Sequence, residues 1–129
     1  MLNLNPIGRI KTPFQRIEDC PNNVEAEGPD CEIILDAEFA PGLNGLREGQ
    51  SVLLLYWFEN VDRTLVTQTR GPRADGEMVG TFALRSPHRP NPIAVSTVPI
   101  LWIENGKFGV QGLDCISGTK LLDIKPATR

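Results

Sequence analysis

Prolines and glycines occur along the whole chain and limit it to short secondary-structure elements. The 129 residues include 11 prolines and 12 glycines, which separate short apolar runs instead of collecting in one linker. Proline interrupts helices and strand ladders, and glycine favours turns. Short apolar runs between such residues are typical of antiparallel β structure. The spacing therefore predicts an all-β domain with little helix.

Strands are predicted where apolar residues alternate with polar ones or form short continuous runs. Residues 31–39 alternate between the two classes, which predicts a half-buried strand. Residues 51–58 are almost wholly apolar, which predicts a strand covered on both faces. The other predicted strands cover residues 6–11, 63–69, 78–84, 93–104 and 119–124, with one helical turn allowed at 41–49, a turn at 71–77 and a long loop at 18–30.

Two local signals predict how the chain turns in its second half. Pro99 lies inside the apolar run 93–104 and lacks an N–H group, so this strand is expected at a sheet edge or bulge and should bend there. Asn105 and Gly106 follow the run, and this dipeptide is the strongest short hairpin signal.

About seven strands in one chain raise the question of how their edges are protected. Closing the sheet into a barrel removes exposed edges. A chain of 129 residues suits one domain. We therefore expect residues 1–129 to form one all-β domain, a single antiparallel sheet closed into a β-barrel. A two-sheet sandwich is the alternative.

Charge and cysteine content narrow the classes of function. The formal net charge is −3, which argues against coating DNA or RNA by bulk phosphate neutralisation. The three cysteines form no CxxC pair and the chain has one histidine, so a zinc site has few ligands to use. We expect three free thiols in a reducing cytoplasm. No apolar run approaches the ~20 residues that span a membrane, and no membrane partner is expected.

The stretch RSPHRPNPIAVS, residues 85–96, is the strongest candidate for a binding loop. Each proline fixes its own φ and restrains the residue before it, so the loop loses little entropy when it binds a ligand. Arg85, His88 and Arg89 are therefore presented from a stiff backbone, and arginine matches carboxylate and phosphate. The alternative is a proline-rich connection whose arginines are merely solvated.

Other candidates lie in the aromatic run and near the C-terminus. Tyr56, Trp57 and Phe58 could stack on a planar base, or could be core residues. Asp114 and Asp123 could accept hydrogen bonds from hydroxyl groups or an amine. Their alternative interpretations are an Asx turn at Asp114 and a surface ion pair between Asp123 and Lys125.

Four segments resemble one known family. GTFALRSPHRPNPIAVS closely resembles the signature of the TsaA/TrmO-like (YaeB-like) family. PIGRIKTPF, LLLYWFENVDR and GLDCISGTKLLDIKP resemble its opening motif, its aromatic strand end and its C-terminal motif. The resemblance implies an S-adenosylmethionine-dependent N-methyltransferase on a single-sheet β-barrel. The best known members methylate the exocyclic nitrogen of threonylcarbamoyladenosine in tRNA.

The resemblance also implies a homodimer, with the S-adenosylmethionine donor bound near the subunit interface. For the catalytic roles, Asp123 and then His88 are the first candidates for a base, and Arg85 or Arg89 would hold charge on donor or acceptor. The positions that match the family's donor contacts are Pro21, Asn22, Asn23, Phe58, Glu59, Arg85, Ser86, Pro87, His88, Arg89, Pro90, Asn91, Ile93, Leu113, Asp114, Ser117, Gly118 and Thr119.

This chain departs from the family pattern near the expected acceptor side. Glu59 stands where histidine is common, Ser117 where an acid is usual, and Lys120 and Ala127 where the family has proline and tyrosine. Three functions are consistent with these residues. The first is methylation of a modified tRNA, the second is methylation of a small molecule on the same fold, and the third is a non-enzymatic module that binds the donor or an anion.

Overall fold

The computed structural model describes residues 2–69 and 76–128, so most of the turn predicted at 71–77 lies outside the described residues. Short 3₁₀ helices occur at Ile17–Asp19, Ala37–Leu43 and Thr81–Ala83. In the described ranges, no helix has the length and apolar character needed to cross a bilayer. The strands are β1 (Gly8–Lys11), β2 (Asp30–Leu35), β3 (Ser51–Trp57), β4 (Thr67–Thr69), β5 (Met78–Gly80), β6 (Ile93–Pro99), β7 (Trp102–Glu104), β8 (Lys107–Gln111) and β9 (Thr119–Pro126).

Seven strands form one antiparallel sheet in the order β6-β3-β9-β1-β2-β8-β7, and β4 pairs with β5 in a separate ribbon. The prediction of an all-β fold with little helix is confirmed. The prediction of a closed barrel is wrong, because β6 and β7 remain as edges and no sheet among the described residues closes on itself. The alternative of two packed sheets is not met either, since the second sheet is a ribbon of two three-residue strands.

The open edges follow from how the chain passes from β6 to β7. Only Ile100 and Leu101 separate the two strands. The Ile100 N–H donates to Gln50 O at 2.9 Å, whereas the Leu101 N–H donates to Gly109 O at 2.8 Å. The N–H groups of two consecutive residues thus bond to opposite ends of the sheet. The chain itself connects β6 to β7, and the two strands do not pair through hydrogen bonds. The bend predicted at Pro99 is confirmed, and so is the hairpin at Asn105-Gly106.

The strand predicted over 31–39 is shorter than its pattern suggested. The strand predicted over 31–39 ends at Leu35, and a 3₁₀ helix begins at Ala37. The Asp36 N–H donates to Ile7 O at 2.9 Å, and Asp36 O accepts from the Phe39 N–H at 2.9 Å, so the backbone turns there. Alternation alone did not reveal this turn, because Ala37 and Phe39 continue the apolar pattern.

The inward face of β3 carries the middle of the core. Val52, Leu54 and Tyr56 are almost fully buried, whereas the alternate residues of the strand are half-buried or exposed. Burying a side chain of this size stabilises the fold by about 1.5–3 kcal/mol. The same alternation places Tyr56 on the inner face at the end of β3, where the surface opens into clefts.

The long loop predicted at 18–30 is held against Gly112. The Glu25 N–H donates to Gly112 O at 2.9 Å, and the Gly112 N–H donates to Pro29 O at 2.8 Å. Gly112 has φ +78°, and a Cβ added there would overlap the carbonyl of Glu25. Glycine is required at this position both for its backbone conformation and for the close approach of the loop.

We predict that Gly112→Ala destabilises the protein more than Gly45→Ala. Gly45 has φ +98° but nothing lies within 4 Å of its added Cβ, so it carries the conformational cost without the overlap. The conformational cost is about 1 kcal/mol in each variant, and the overlap adds roughly 1–3 kcal/mol in Gly112→Ala. Urea unfolding of the two variants measures the difference, and equal losses would contradict the proposed close contact.

Candidate functional site

Two neighbouring clefts open beside the end of β3. The loop cleft, about 610 Å³ in volume, is lined mainly by residues of 22–24, the 84–87 segment, β3 and the start of β6. The turn cleft, about 500 Å³, is lined by 20–22, 57–61 and the turn at 114–120. Both volumes lie in the range of small-molecule sites. The residues that line both clefts are Asn22, Phe58, Arg85, Pro87 and Asp114.

The arginines of the proline-rich loop have different roles. Arg89 Nη1 donates to Leu84 O at 2.9 Å and to Ser86 O at 3.1 Å, so this guanidinium fixes the loop's own backbone. Arg85 Nη2 donates to Val95 O at 2.8 Å, and its side chain lines both clefts. A guanidinium has five N–H donors. Arg85 therefore keeps donors for a ligand while one bond to β6 sets its position.

The outer side of the loop is braced by the segment that follows β3. Arg63 Nε donates to Pro90 O at 2.8 Å, and the Arg63 guanidinium lies 5.1 Å from the centre of the Trp57 ring. His88 Nδ1 accepts from the Asp62 N–H at 3.1 Å, and His88 O accepts from the Gln68 side chain. His88 thus faces this segment and lines neither cleft.

A buried hydrogen-bond chain leads from β6 to Asp114. The Tyr56 hydroxyl lies 2.6 Å from Ser96 Oγ and donates to Asp114 Oδ1 at 2.9 Å. An ionised carboxylate can only accept, and a phenol has one O–H. Tyr56 therefore donates to Asp114, and Ser96 donates to Tyr56. Burial and the nearby Asp114 charge raise the pKa of Tyr56, so the phenol stays protonated at neutral pH.

The turn at 115–120 is held by the end of β1. Thr12 Oγ1 donates to Cys115 O at 2.8 Å, and the Thr12 N–H donates to Ser117 Oγ at 3.2 Å. The Gly118 N–H donates to Ile10 O at 2.8 Å. These bonds present Ser117, Gly118 and the neighbouring residues to the turn cleft.

The thiols do not provide a reactive group. Burial raises the pKa of Cys115 to about 12, and Cys115 lies in the core. Cys20 lines the turn cleft, but burial and nearby carboxylates raise its pKa as well. The thiolate is the nucleophile, so neither side chain is activated. Among the residues that the structure describes, no group of three or more His, Cys, Asp or Glu side chains could hold a metal ion.

Asp123 lies apart from the clefts. It belongs to β9, its Oδ2 is 2.9 Å from Lys125 Nζ, and its Oδ1 accepts from the Ile124 N–H. Neither cleft is lined by Asp123. The ion pair considered as its alternative interpretation is present, and nothing in the geometry brings this carboxylate to a ligand.

Most of the residues predicted to bind a ligand meet at the two clefts. Those that line at least one cleft are Pro21, Asn22, Asn23, Phe58, Glu59, Arg85, Ser86, Pro87, Arg89, Ile93, Asp114, Ser117, Gly118 and Thr119. The structure places His88, Pro90, Asn91, Leu113 and Asp123 outside both. Leu113 is fully buried in the core.

Ser96 and Lys120 line the clefts but are not among the site residues predicted from the sequence. Ser96 sits in an apolar strand, and its only signal was a hydroxyl at a position that alternation marks as inward. Lys120 lines the turn cleft, and its Nζ lies 3.1 Å from Glu59 Oε1. Two departures from the family pattern thus form one ion pair at this cleft.

Comparison with known proteins identifies the family. The model of the tRNA-methyltransferase O N-terminal domain matches residues 9–129. The chain is 38% identical over 120 residues to the probable S-adenosyl-L-methionine-binding protein VirR of Rhizobium radiobacter, covering 93% of this chain and 67% of that protein. It is 34% identical over 122 residues to an S-adenosyl-L-methionine-binding protein of Archaeoglobus fulgidus, covering 95% of this chain and 86% of the relative.

Longer proteins share the same domain. The mouse tRNA (adenine(37)-N6)-methyltransferase is 39% identical over 85 residues, which cover 65% of this chain and 20% of that enzyme. The crystal structure of TrmO from Pseudomonas aeruginosa matches with a TM-score of 0.77 and 30% identity, covering 99% of this chain. This chain spans only 56% of that TrmO structure. The match over residues 9–129, together with the shared fold, establishes that the chain belongs to the tRNA-methyltransferase O N-terminal domain family.

Proposed function

We propose that this protein transfers a methyl group from S-adenosylmethionine to an exocyclic adenine nitrogen of tRNA, with threonylcarbamoyladenosine as the substrate nucleoside. The observation that carries the proposal is the pair of clefts that share Arg85, Phe58 and Asp114. Two reactants need two neighbouring binding spaces with a common wall. Relatives named as S-adenosylmethionine-binding proteins support the donor, and the mouse relative's name supports the acceptor.

The donor's chemical groups match side chains at the clefts. S-adenosylmethionine carries a carboxylate, and the free N–H donors of Arg85 suit it. Its adenine is planar, and Phe58 offers an aromatic face at the shared wall. The stiff loop, tied by Arg89 to its own carbonyls, lowers the entropy lost on binding.

The surroundings of the clefts suit an anionic acceptor despite the net charge of −3. Arg85 and Arg89 line the loop cleft, and Arg63 braces the same loop. Phosphate contacts position a nucleic acid on a protein. A local cationic surface in an acidic domain favours contact with a short stretch of tRNA over coating of a long one. This acceptor agrees with a cytoplasmic location, which we also propose.

Methyl transfer from a sulfonium is an in-line displacement. The nitrogen lone pair attacks the methyl carbon, the carbon–sulfur bond breaks, and the electron pair goes to sulfur. The reaction needs the nitrogen and the methyl carbon about 3–3.5 Å apart and aligned. The protein's main tasks are therefore to hold the two reactants in adjoining clefts and to keep the loop rigid between them.

We predict that the protein binds one S-adenosylmethionine per chain with micromolar affinity, and that Arg85→Ala weakens binding at least tenfold. A lost charge-assisted hydrogen bond costs about 1.5–3 kcal/mol. Arg9→Ala is the matched control, because Arg9 is exposed on β1 and lines neither cleft. Calorimetric titration measures all three proteins. No binding by the wild type up to millimolar donor would refute the proposed donor, and unchanged affinity in Arg85→Ala would refute the role of Arg85.

We predict that labelled donor transfers its methyl group to tRNA that contains threonylcarbamoyladenosine. Nucleoside analysis after digestion should show the label on that nucleoside, and tRNA without the threonylcarbamoyl group is the control. Label in small molecules of a cell extract, with none in tRNA, would support a small-molecule acceptor instead. Donor binding without turnover on either would support a binding module.

We also propose that two copies associate over the edge of β6 that no strand among the described residues covers. Ile93 and Val95 are each 41% exposed, and both line the loop cleft. An unpaired strand edge with exposed apolar side chains invites pairing with another chain. The donor would then bind next to the interface between the copies.

We predict a dimer in sedimentation at micromolar concentration with donor present. Val95→Glu should shift the protein to monomer, because a carboxylate would be buried between the copies. Val66→Glu, at a position 71% exposed on the segment before β4, is the control and should stay dimeric. A monomeric wild type would refute the association.

A further inference from the structure

We propose that Asp114 accepts the proton of the acceptor nitrogen during methyl transfer, and that Ser96 and Tyr56 hold its carboxylate in position. This inference rests on the proposed function. It replaces Asp123 and His88 as candidates for the base, since the structure places both outside the clefts.

Of the described residues on the wall that the two clefts share, only Asp114 can accept a proton. Within the described ranges, five residues line both clefts, and the reacting atoms must meet where the clefts adjoin. An amide, a phenyl ring, a guanidinium and a proline ring cannot take a proton at neutral pH. Asp114 is the remaining member, and its carboxylate can.

Asp114 is held through one of its two carboxylate oxygens. Its Oδ1 accepts from Tyr56, whose hydroxyl is fully used by Asp114 and Ser96. Tyr56 is 1% exposed, so it is fixed by the core. Among the described residues, Oδ2 has no hydrogen-bond partner. One oxygen is thus anchored while the other is free for a donor on the acceptor.

The charges of the reaction balance when a carboxylate takes the proton of the attacking nitrogen. The attacking nitrogen belongs to an amide-like N–H, which is a poor nucleophile, so removal of its proton assists attack. The nitrogen forms a bond to the methyl carbon, and its proton passes to Asp114. The sulfonium becomes a neutral thioether as the carboxylate becomes a neutral acid, so the opposite charges disappear together. Solvent then takes the proton from Asp114.

The Ser96–Tyr56 chain explains why this carboxylate is better placed than a surface acid. Asp123 is tied to Lys125 and to its neighbour's N–H. Asp114 instead accepts at 2.9 Å from a buried phenol, and the pairing of β3 with β6 places Ser96 beside that phenol. Catalytic groups gain efficiency when neighbouring side chains restrict their motion.

The test compares Asp114→Asn with Asp30→Asn, an exposed residue at the start of β2 that lines neither cleft. Donor affinity is measured by calorimetry, folding by thermal unfolding, and methyl transfer by single-turnover assay with saturating donor and tRNA. We expect Asp114→Asn to bind donor within threefold of wild type and to lose at least a hundredfold in rate. Asp30→Asn should match the wild type in all three measurements.

Tyr56→Phe tests the positioning role separately. We expect the single-turnover rate to fall about tenfold while the KM values for donor and tRNA stay within threefold, because the variant frees Asp114 without removing it. Loss of binding and rate together, with a lowered melting temperature, would indicate a purely structural role and overturn this part.

The outcomes separate the inference from the function on which it rests. Wild-type protein that binds no donor, or methylates no tRNA, overturns both. An active wild type with an equally active Asp114→Asn overturns the inference alone. An Asp114→Asn variant that loses donor binding also overturns the inference, since Asp114 would then be a donor ligand. Loss of turnover in Asp123→Asn, with turnover retained in Asp114→Asn, overturns it as well.

Discussion

The site depends on the pairing of β3 with β6 on one side and β9 on the other. In the β3–β6 register, Leu54 faces Ser96 and Tyr56 faces Ala94. Because alternate residues of paired strands share a face, this register puts the Ser96 hydroxyl beside the Tyr56 phenol on the buried side. On the other side, the register with β9 shifts between Leu55 and Tyr56, at the point where the strand leaves the core and reaches the clefts.

The loop at the clefts is held both by its prolines and by hydrogen bonds to distant residues. Prolines restrict the backbone of the 85–92 loop wherever it lies, because their rings fix φ. The direction of the loop is set by long-range bonds, from Arg63 to Pro90 and from the Asp62 backbone to His88. Arg89 uses its charge on the loop's own carbonyls. Arg85 is the loop's arginine that reaches both clefts.

The turn cleft is lined by three of the four residues that depart from the family pattern, Glu59, Ser117 and Lys120. Glu59 and Lys120 pair at 3.1 Å with both side chains more than half exposed. An exposed pair contributes at most about 1 kcal/mol to stability, so its main effect is on the charge of the cleft. The pair neutralises a lysine that would otherwise attract a phosphate. Specificity for the acceptor is the property most directly affected by such a change.

The amino-acid sequence was enough to predict the β class, the bend at Pro99 and the Asn105-Gly106 hairpin. These features depend on local chemistry, on fixed φ angles and on side-chain alternation. The sequence was not enough to separate Asp114 from Asp123, to find Ser96, or to show that the sheet stays open. Tyr56 bonds to residues 40 and 58 positions away, and strand register alone decides such contacts. The open sheet likewise depends on which distant carbonyls accept from the Ile100 and Leu101 N–H groups. The local sequence does not decide this, because a backbone N–H group can pair with a carbonyl at either end of a sheet.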